Sequence, residues 1–410
     1  MPEEIPSLPA SFFEQLRGRG LVEVADRVLA PYLDDLESHE RRALIEDALD
    51  FEIPLIELGN GTYVLELFHG PTLAFKDVGA RFMARLMARS IRERPRAITV
   101  LVATSGDTGG AVAQAFFDLD GIRVAILYPE GKVSRLQEKQ FTTLGGNVRA
   151  FAVQGDFDDC QRLVKEALVA PELRAELGLT SANSINVARL LPQMVYYFYA
   201  VAQLPTGGPS PVFSTPSGNF GNLTAGLMAR AMGLGCSGFV AATNANDSVP
   251  RYLESGRFEP RPARATISNA MDVGDPSNFQ RVLHLFGGEA ERLRAVVSAS
   301  RHSDEETRGA IREVYKKHGY VLDPHTAVGY LGLRRWSQGR QGRRLLEPLG
   351  EEVPGVVLAT AHPAKFREEI EATLGIVIEI PERLARCLEL PGKSIPIRPR
   401  LEDLEAALRA

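Results

Sequence analysis

Lys76 is the side chain in this sequence whose type and surroundings best suit covalent chemistry. It ends the run HGPTLAFK, just after a predicted strand and a Gly-Pro turn, with Phe75 beside it. An amine in a partly apolar pocket has a lowered pKa and can form a Schiff base with a carbonyl group. The chain has 8 lysines and 39 arginines, and an arginine cannot replace such an amine. The alternative is a solvated lysine that pairs with Asp77.

A phosphate-binding loop is predicted over residues 214–222, STPSGNFGN, between a predicted strand and a predicted helix. Two glycines and small polar residues in such a turn form a nest of backbone N–H groups, and the helix dipole adds positive potential there. A phosphate dianion is the expected guest. The glycine motifs of dinucleotide and nucleoside triphosphate sites are absent from the sequence. A tight turn in which Asn or Ser caps the helix is the alternative.

Two further polar loops follow predicted strands. Residues 104–110, TSGDTGG, could hold an anion such as a substrate carboxylate on free N–H groups, or Asp107 or Thr108 could simply cap the next helix. In residues 359–366, Thr360 could donate a hydrogen bond to a ligand or satisfy the local backbone. A phosphate nest, an anion loop and a candidate Schiff-base lysine together predict a site for pyridoxal 5'-phosphate.

Alternating strands and helices are predicted to position these loops. Segments rich in β-branched residues predict strands over 62–68, 98–103, 123–128, 148–153, 212–214, 238–243, 356–360 and 376–380. Helical periodicity lies over 78–92, 109–117, 158–170, 189–203 and 222–232, and the first 50 residues are also predicted to be helical. Near-continuous apolar runs such as 97–103 indicate strands buried on both faces. The pattern predicts an α/β protein with mainly parallel sheets.

A linker-like sequence, PTGGPSP at residues 205–211, divides the alternation into two halves. We therefore predict an N-terminal helical segment over 1–60, an α/β domain over 61–204 and a second α/β domain over 211–410. The first domain would carry Lys76 and the anion loop, and the second would carry the phosphate loop. In open sheets of this kind, ligands bind where the carboxyl ends of strands lead into loops.

Composition excludes several classes of protein. A net charge of −5 and a pI near 5.9 argue against general nucleic-acid binding. The basic stretch from Arg334 to Arg344 could still contact phosphates, but a solvated helix end is favoured. No apolar run reaches the roughly 18 residues of a membrane span. The three cysteines are widely spaced and the histidines isolated, so no metal site is predicted, and a reducing cytoplasm is expected.

Five segments of the chain resemble the threonine synthases of the bacterial and fungal branch. They are FHGPTLAFKD (68–77), ATSGDTGGA (103–111), NSINVARLLPQ (183–193), TPSGNFGN (215–222) and TAHPAKF (360–366). Family members usually begin with a further segment, whereas PSLPASFFEQL here follows closely after Met1. The resemblance implies a fold type II pyridoxal phosphate enzyme of the tryptophan synthase β type. Such enzymes have two open, mainly parallel α/β domains, with the cofactor in the cleft between them.

The resemblance also implies roles for individual residues. Lys76 would be the catalytic Schiff-base lysine, and Thr360 would face the pyridine nitrogen and leave it largely unprotonated, because a hydroxyl carries no negative charge. The remaining cofactor contacts would come from one loop, namely Gly218, Asn219, Phe220, Gly221 and Asn222. The substrate would be held by residues of three other motifs, namely Thr104, Ser105, Asp107, Thr108, Ser184, Asn186, Arg189 and Lys365. Arg189 could instead be a surface charge and Asn186 a helix cap.

The reaction implied by the resemblance is the last step of threonine biosynthesis. O-phospho-L-homoserine would lose its γ-phosphate and water would add at Cβ, with Lys76 acting as general base. The alternative is another fold type II enzyme, such as a threonine or serine dehydratase or a phospho-lyase that forms 2-oxobutyrate. We expect a monomer or homodimer that acts on this small molecule, with neither a nucleic acid nor a membrane as partner.

Overall fold

The computed structural model describes residues 2–92, 97–339 and 353–410, with the side chain of residue 10 left out. Its strands are β1 (Leu55–Gly59), β2 (Thr62–Glu66), β3 (Ile98–Ala103), β4 (Ile122–Pro129), β5 (Val148–Val153), β6 (Leu179–Ser181), β7 (Val212–Pro216), β8 (Gly238–Thr243), β9 (Val297–Arg301), β10 (Gly355–Ala359) and β11 (Ile395–Ile397).

Helices occupy most of the chain between these strands. They are α1 (Ala10–Glu14), α2 (Leu21–Leu29), α3 (Ser38–Ala48), α4 (Lys76–Ile91), α5 (Asp107–Phe116), α6 (Arg135–Thr142), α7 (Phe157–Val169), α8 (Pro171–Leu177), α9 (Val187–Gln203), α10 (Gly221–Ala231), α11 (Ser248–Ser255), α12 (Phe279–Leu285), α13 (Ala290–Arg294), α14 (Asp304–His318), α15 (Pro324–Gln338), α16 (Arg367–Leu374), α17 (Glu382–Glu389) and α18 (Leu401–Arg409). Short 3₁₀ helices span Ala30–Tyr32, Asn269–Met271 and Pro363–Phe366. None of the helices in the part of the chain that the structure describes is long and apolar enough to span a membrane.

Two sheets organise the strands. One has the order β1-β2-β10-β7-β8-β9, in which only β1 and β2 are antiparallel. The other has the order β11-β5-β4-β3-β6, and all its pairs are parallel. The predicted α/β architecture with mainly parallel sheets is confirmed. The carboxyl ends of neighbouring parallel strands therefore lie at one edge of each sheet, where the polar loops begin.

Contacts divide the chain into two compact units. The first unit comprises Met1–Arg42, Phe51–His69 and Leu190–Ile378, and the second comprises Ala43–Asp50, Gly70–Arg189 and Glu379–Ala410. This division differs from the predicted sequence boundaries because of strand pairing: β2 pairs with β10, and β11 pairs with β5. Residues 205–211 accordingly lie inside the first unit and do not separate the two.

Each sheet is buried on both faces, as the apolar runs indicate. In the second unit β3 is buried throughout; Val100 and Val102 pack into one apolar cluster and Leu101 and Ala103 into another. This alternation is what the two-residue period of a strand requires. In the first unit, residues of β7, β8 and β10 pack against Leu333 and Trp336 of α15.

The structure differs from the predicted elements in one strand that does not form and in four strands that the sequence pattern did not indicate. Residues 376–380 are not a strand; they follow Gly375, whose φ of 67° ends α16, and they form no regular structure. The strands β1, β6, β9 and β11 were not predicted, because they are short or partly exposed and lack a long apolar run. In the basic stretch, Arg334 pairs with Glu313, while residues 340–344 lie outside the described residues.

Candidate active site

Lys76 is the first residue of α4 in the second unit, at the end of a loop that folds back on itself. Its side chain is half-buried, and its Nζ lies 5.3 Å from the centre of the Phe75 ring. Asp77 is buried and accepts hydrogen bonds from the backbone N–H (2.9 Å) and the hydroxyl (2.6 Å) of Thr72. Leu73 between them has a φ of 57°, a left-handed conformation that only a tightly held loop imposes on leucine. Asp77 thus braces the loop that presents Lys76.

Two buried glutamines of α6 hold this loop and the anion loop. Gln140 Nε2 donates to the carbonyl of Thr72 (3.1 Å), and Gln137 Nε2 donates to Asp107 Oδ1 (2.9 Å). Residues three apart share one face of a helix, so a single face of α6 reaches both loops. The side-chain position of Asp107 is therefore set by α6.

The anion loop follows β3 and leads into α5. Thr104 Oγ1 accepts hydrogen bonds from the N–H groups of Gly106 (3.0 Å) and Gly109 (2.8 Å), so this hydroxyl shapes the loop itself. Gly106 has a φ of 141°, which only glycine adopts readily. The side-chain cap at this helix start therefore comes from Thr104, through Gly109, and not from Asp107 or Thr108. Ser105 and Thr108 lie half-buried beside this helix N-terminus.

The NSIN segment leaves β6, which is the parallel neighbour of β3, at the same sheet edge. Asn183 joins the two strand ends: its Oδ1 accepts from the N–H of Ala103 (3.1 Å) and its Nδ2 donates to the carbonyl of Ala103 (2.8 Å). Asn186 accepts from the N–H of Ala188 (3.1 Å) and donates to the carbonyl of Ser181 (3.3 Å). Asn186 therefore acts at the start of α9, as the capping alternative proposed.

Arg189 is fully buried rather than a surface charge. Its Nη1 donates to the carbonyl of Ala182 at 2.5 Å, and Asp77 supplies a nearby negative charge. Burial lowers the pKa of Arg189 to about 10, an effect that Asp77 opposes. The guanidinium is still protonated at neutral pH, so it remains a cation inside the unit. Ser184, in the same segment just before α9 begins, is half-buried.

The predicted phosphate loop joins β7 to α10 in the first unit. A methyl group on Gly218 would place its Cβ 2.6 Å from Met271 Cα, so this position requires glycine. Asn219 Oδ1 accepts from the Ser277 hydroxyl (3.0 Å). Phe220 has a φ of 61° and its ring packs at 5.8 Å from Phe279, so only its backbone can face a ligand. No side chain caps α10, which excludes the simple capping alternative.

Asn222 is held by two buried tyrosines of α9. Its Oδ1 lies 2.7 Å from the Tyr196 hydroxyl and 2.8 Å from the Tyr197 hydroxyl, both of which can donate to it. Its Nδ2 is buried and has no hydrogen-bond partner within the described residues. A buried donor without a partner costs free energy unless a bound group accepts from it. The loop therefore fits a phosphate group at the N-terminus of α10.

Thr360 follows β10, whose parallel neighbour is β7, so Thr360 and the phosphate loop leave adjacent strands of one sheet. Thr360 is buried at the end of this strand, and the two roles considered for its hydroxyl stay predictions. His362 caps the following 3₁₀ helix, and burial lowers the pKa of its imidazole. Lys365 in that helix is also buried.

The structure thus groups the predicted residues by unit. Lys76, the anion loop and the NSIN segment are braced together in the second unit, and the phosphate loop and the Thr360 segment lie side by side in the first. Sequence reasoning missed the side chains that brace them, namely Gln137, Gln140, Asn183, Tyr196 and Tyr197. The only local signal was the presence of polar atoms on otherwise apolar helix faces.

Family models match the chain along most of its length. A model described as pyridoxal-phosphate dependent enzyme matches residues 51–345. A second model, described as threonine synthase, C-terminal, matches residues 326–408. Both ranges contain motifs of the candidate site.

Characterised relatives and solved structures agree with these models. Threonine synthase of Serratia marcescens is 46% identical over 392 residues, covering 95% of this chain and 88% of the relative. The crystal structure of threonine synthase from Escherichia coli superimposes with a TM-score of 0.92 at 42% identity, covering 100% of this chain and 92% of that one. The crystal structure of threonine synthase with bound pyridoxal phosphate from Brucella melitensis gives a TM-score of 0.89 at 36% identity, with the same coverage.

Proposed function

Because this chain belongs to the pyridoxal-phosphate-dependent enzymes and, within them, to the threonine synthases, we propose that it converts O-phospho-L-homoserine and water into L-threonine and phosphate. Its cofactor is pyridoxal 5'-phosphate, and it is a lyase. The observation that best supports this particular reaction is the second unit, where a candidate amine base, the N-terminus of α5 and a buried cation lie together.

The cofactor residues keep their assignments in this proposal. Lys76 attaches the cofactor covalently, the loop from Gly218 to Asn222 binds its phosphate, and the Thr360 hydroxyl faces the ring nitrogen. When bound, the cofactor supplies an electron sink for negative charge that develops at Cα. The Asn222 Nδ2 donor and the uncapped N-terminus of α10 support the phosphate assignment, because both would otherwise be unsatisfied.

The protein's own chemistry centres on one proton-transferring amine. With the substrate bound, the Lys76 Nζ would remove the proton from Cα and would then act as general base at Cβ, where water adds. The backbone N–H groups at Ser105, Asp107 and Thr108, at the N-terminus of α5, bind the substrate α-carboxylate. Burial of Leu73, Ala74 and the strand ends around this loop limits competing attack by water.

The substrate phosphate needs cationic donors of its own. We assign it to Ser184, Arg189 and Lys365, of which Arg189 and Lys365 are buried positive charges. Burial of a positive charge is costly, and an incoming phosphate would offset part of that cost. Asn186 belongs to the same proposal, but its amide already holds the start of α9.

Product analysis tests this function directly. The purified holoenzyme is incubated with O-phospho-L-homoserine in ¹⁸O-labelled water, and the products are identified by NMR and mass spectrometry. We expect threonine labelled at its hydroxyl together with unlabelled phosphate, because the C–O bond breaks and water adds at Cβ. Formation of 2-oxobutyrate without threonine would favour the dehydratase or phospho-lyase alternative, and labelled phosphate with homoserine would indicate simple hydrolysis.

A further inference from the structure

A short turn in the first unit, residues 268–271, lies directly against the phosphate loop. A Cβ on Gly218 would lie 2.6 Å from Met271 Cα and 3.1 Å from the carbonyl oxygen of Ala270, so the two backbones are in contact. The side chain of Asn269 in this turn has a buried Oδ1 with no hydrogen-bond partner among the described residues. The position of the turn therefore limits where Gly218 and its N–H group can lie.

His325 holds this turn by its backbone. The imidazole is buried, and its Nε2 accepts a hydrogen bond from the N–H of Ala270 at 3.2 Å. Its Nδ1 lies 2.8 Å from Asp323 Oδ1. Since an amide can only donate, Nε2 carries no proton, and the single proton of the neutral ring lies on Nδ1 and is donated to Asp323. Asp323 thus selects the tautomer that can hold Ala270.

The same imidazole also contacts the segment that follows Thr360. Its ring centre lies 4.8 Å from that of Phe366, the neighbour of Lys365 in the 3₁₀ helix. Asp323 itself is fixed as the N-cap of α15, where its carboxylate accepts from the N–H groups of His325 (2.9 Å) and Thr326 (3.3 Å). A rigid helix start therefore presents one ring to two loops of the candidate site.

We propose that Asp323 and His325 are positioning residues, which hold the 268–271 turn and through it the phosphate loop in the geometry that binds the cofactor phosphate. The proposal rests on the proposed function only in taking the Gly218 loop as the phosphate site. Neither residue touches the cofactor in this proposal; both act through the backbone of Ala270.

Other contacts to the turn determine how large the effect is. Asn244 Nδ2 donates to Ser268 Oγ at 3.0 Å, and Met271 packs against Ala242 and Val328. These contacts keep the turn folded when the His325 bond is lost, so the phosphate loop loosens without unfolding. The loss of one neutral hydrogen bond corresponds to a weakening of about 3- to 10-fold in affinity.

Two variants of His325 whose side chains differ only in length test the proposal. In His325→Gln the side-chain amide oxygen can occupy the position of Nε2 and accept from Ala270, whereas in His325→Asn it is too short to do so. His302→Leu is the matched control, because His302 is a second buried histidine of this unit that bonds Ser300 instead. Apoenzyme of each variant is titrated with pyridoxal phosphate and, separately, with pyridoxal, which lacks the phosphate.

We expect His325→Asn to bind pyridoxal phosphate about 3- to 10-fold more weakly, with pyridoxal affinity unchanged, and His325→Gln to stay near the wild type. Equal affinity of the Asn and Gln variants, or an equal loss for both ligands, would overturn the proposal. A third variant, Gly218→Ala, distinguishes failure of the positioning proposal from failure of the proposed phosphate site. If Gly218→Ala leaves the affinity for pyridoxal phosphate intact, the phosphate-site assignment fails; if only that variant weakens binding, the positioning role alone fails.

Discussion

Replacing Asn222 by aspartate should weaken cofactor binding strongly while leaving the hydrogen bonds of Tyr196 and Tyr197 in place. The two tyrosine hydroxyls approach Oδ1 at 2.7 and 2.8 Å, and an aspartate offers them an equivalent oxygen. At the other position, where Nδ2 is a buried donor without a partner in the described residues, the substitution puts a negatively charged oxygen. The variant therefore changes the ligand-facing atom and keeps the structural one.

The expected magnitude follows from the charge of the phosphate. A hydrogen bond to a charged group contributes about 1.5–3 kcal/mol, and each 1.4 kcal/mol is a factor of ten in affinity. Loss of this donor alone should weaken binding about 10- to 100-fold, and repulsion between the carboxylate and the phosphate adds to it. Tyr196→Phe removes one hydrogen bond to Oδ1, which should lower the free energy of unfolding by about 1 kcal/mol and leave cofactor affinity within about 3-fold.

The assay combines two measurements on the full-length protein. Apoenzyme is titrated with pyridoxal phosphate at pH 8, and thermal unfolding of the cofactor-free variants is followed in parallel. We expect Asn222→Asp to lose cofactor affinity, and we expect Tyr196→Phe to lose thermal stability while keeping its cofactor affinity. Wild-type affinity in Asn222→Asp, or an equal loss of affinity in both variants, would refute the separation of roles between the two amide atoms.

Three further predictions concern Lys76, Gln137 and His302. Lys76→Ala should abolish turnover and the covalent adduct that borohydride fixes, with the circular dichroism spectrum unchanged; a borohydride adduct on another lysine would contradict the assignment. Gln137→Leu removes the hydrogen-bond donor to Asp107, so KM for O-phosphohomoserine should rise about 3- to 10-fold, with cofactor affinity unchanged. Steady-state kinetics that show a change in kcat alone would count against this role of Gln137. Burial lowers the pKa of His302 to about 4, whereas an unfolded histidine titrates near 6.5. Between these values only the unfolded chain takes up the proton, so the free energy of unfolding falls as the pH drops, by up to about 3 kcal/mol. Urea unfolding at pH 7.5 and pH 4.5 should show a smaller fall for His302→Gln than for the wild type. An equal fall in both proteins would exclude this role of His302.

Strands buried on both faces were predictable from the sequence. The predicted bounds of 98–103, 148–153 and 238–243 match β3, β5 and β8, because continuous apolar runs arise only where both faces of a strand are covered. The edge strand β9 alternates serine with small apolar residues, and its partial exposure leaves no such run. Pairing between distant strands has no local signature at all, which is why the predicted domain boundaries did not anticipate the two units.

Some residues of the candidate site can be picked out from the sequence alone, and their roles stay predictions. Lys76, Gly218 and Thr360 stand out by type and by their place after strands, and the structure places each at a strand-end loop. The residues that hold these loops, such as Gln137 and His325, could not be found in the same way. Their roles depend on what lies opposite them in space, and a buried glutamine or histidine has the same local pattern whether it braces a loop or merely fills a core.

The position of β10 in the first sheet has a consequence for how the protein is made. β2 and β7 both pair with β10, which is separated from β2 by more than half the length of the chain. During synthesis β3, β4 and β5 can pair in succession, but β2 and β7 must wait for a strand that leaves the ribosome far later. Until then β1 can pair with β2 and β8 with β7, but one edge of each strand is unpaired and open to other strands, and such long-range pairing folds slowly. The loops of Thr360 and Gly218 are therefore brought side by side only when translation is almost complete.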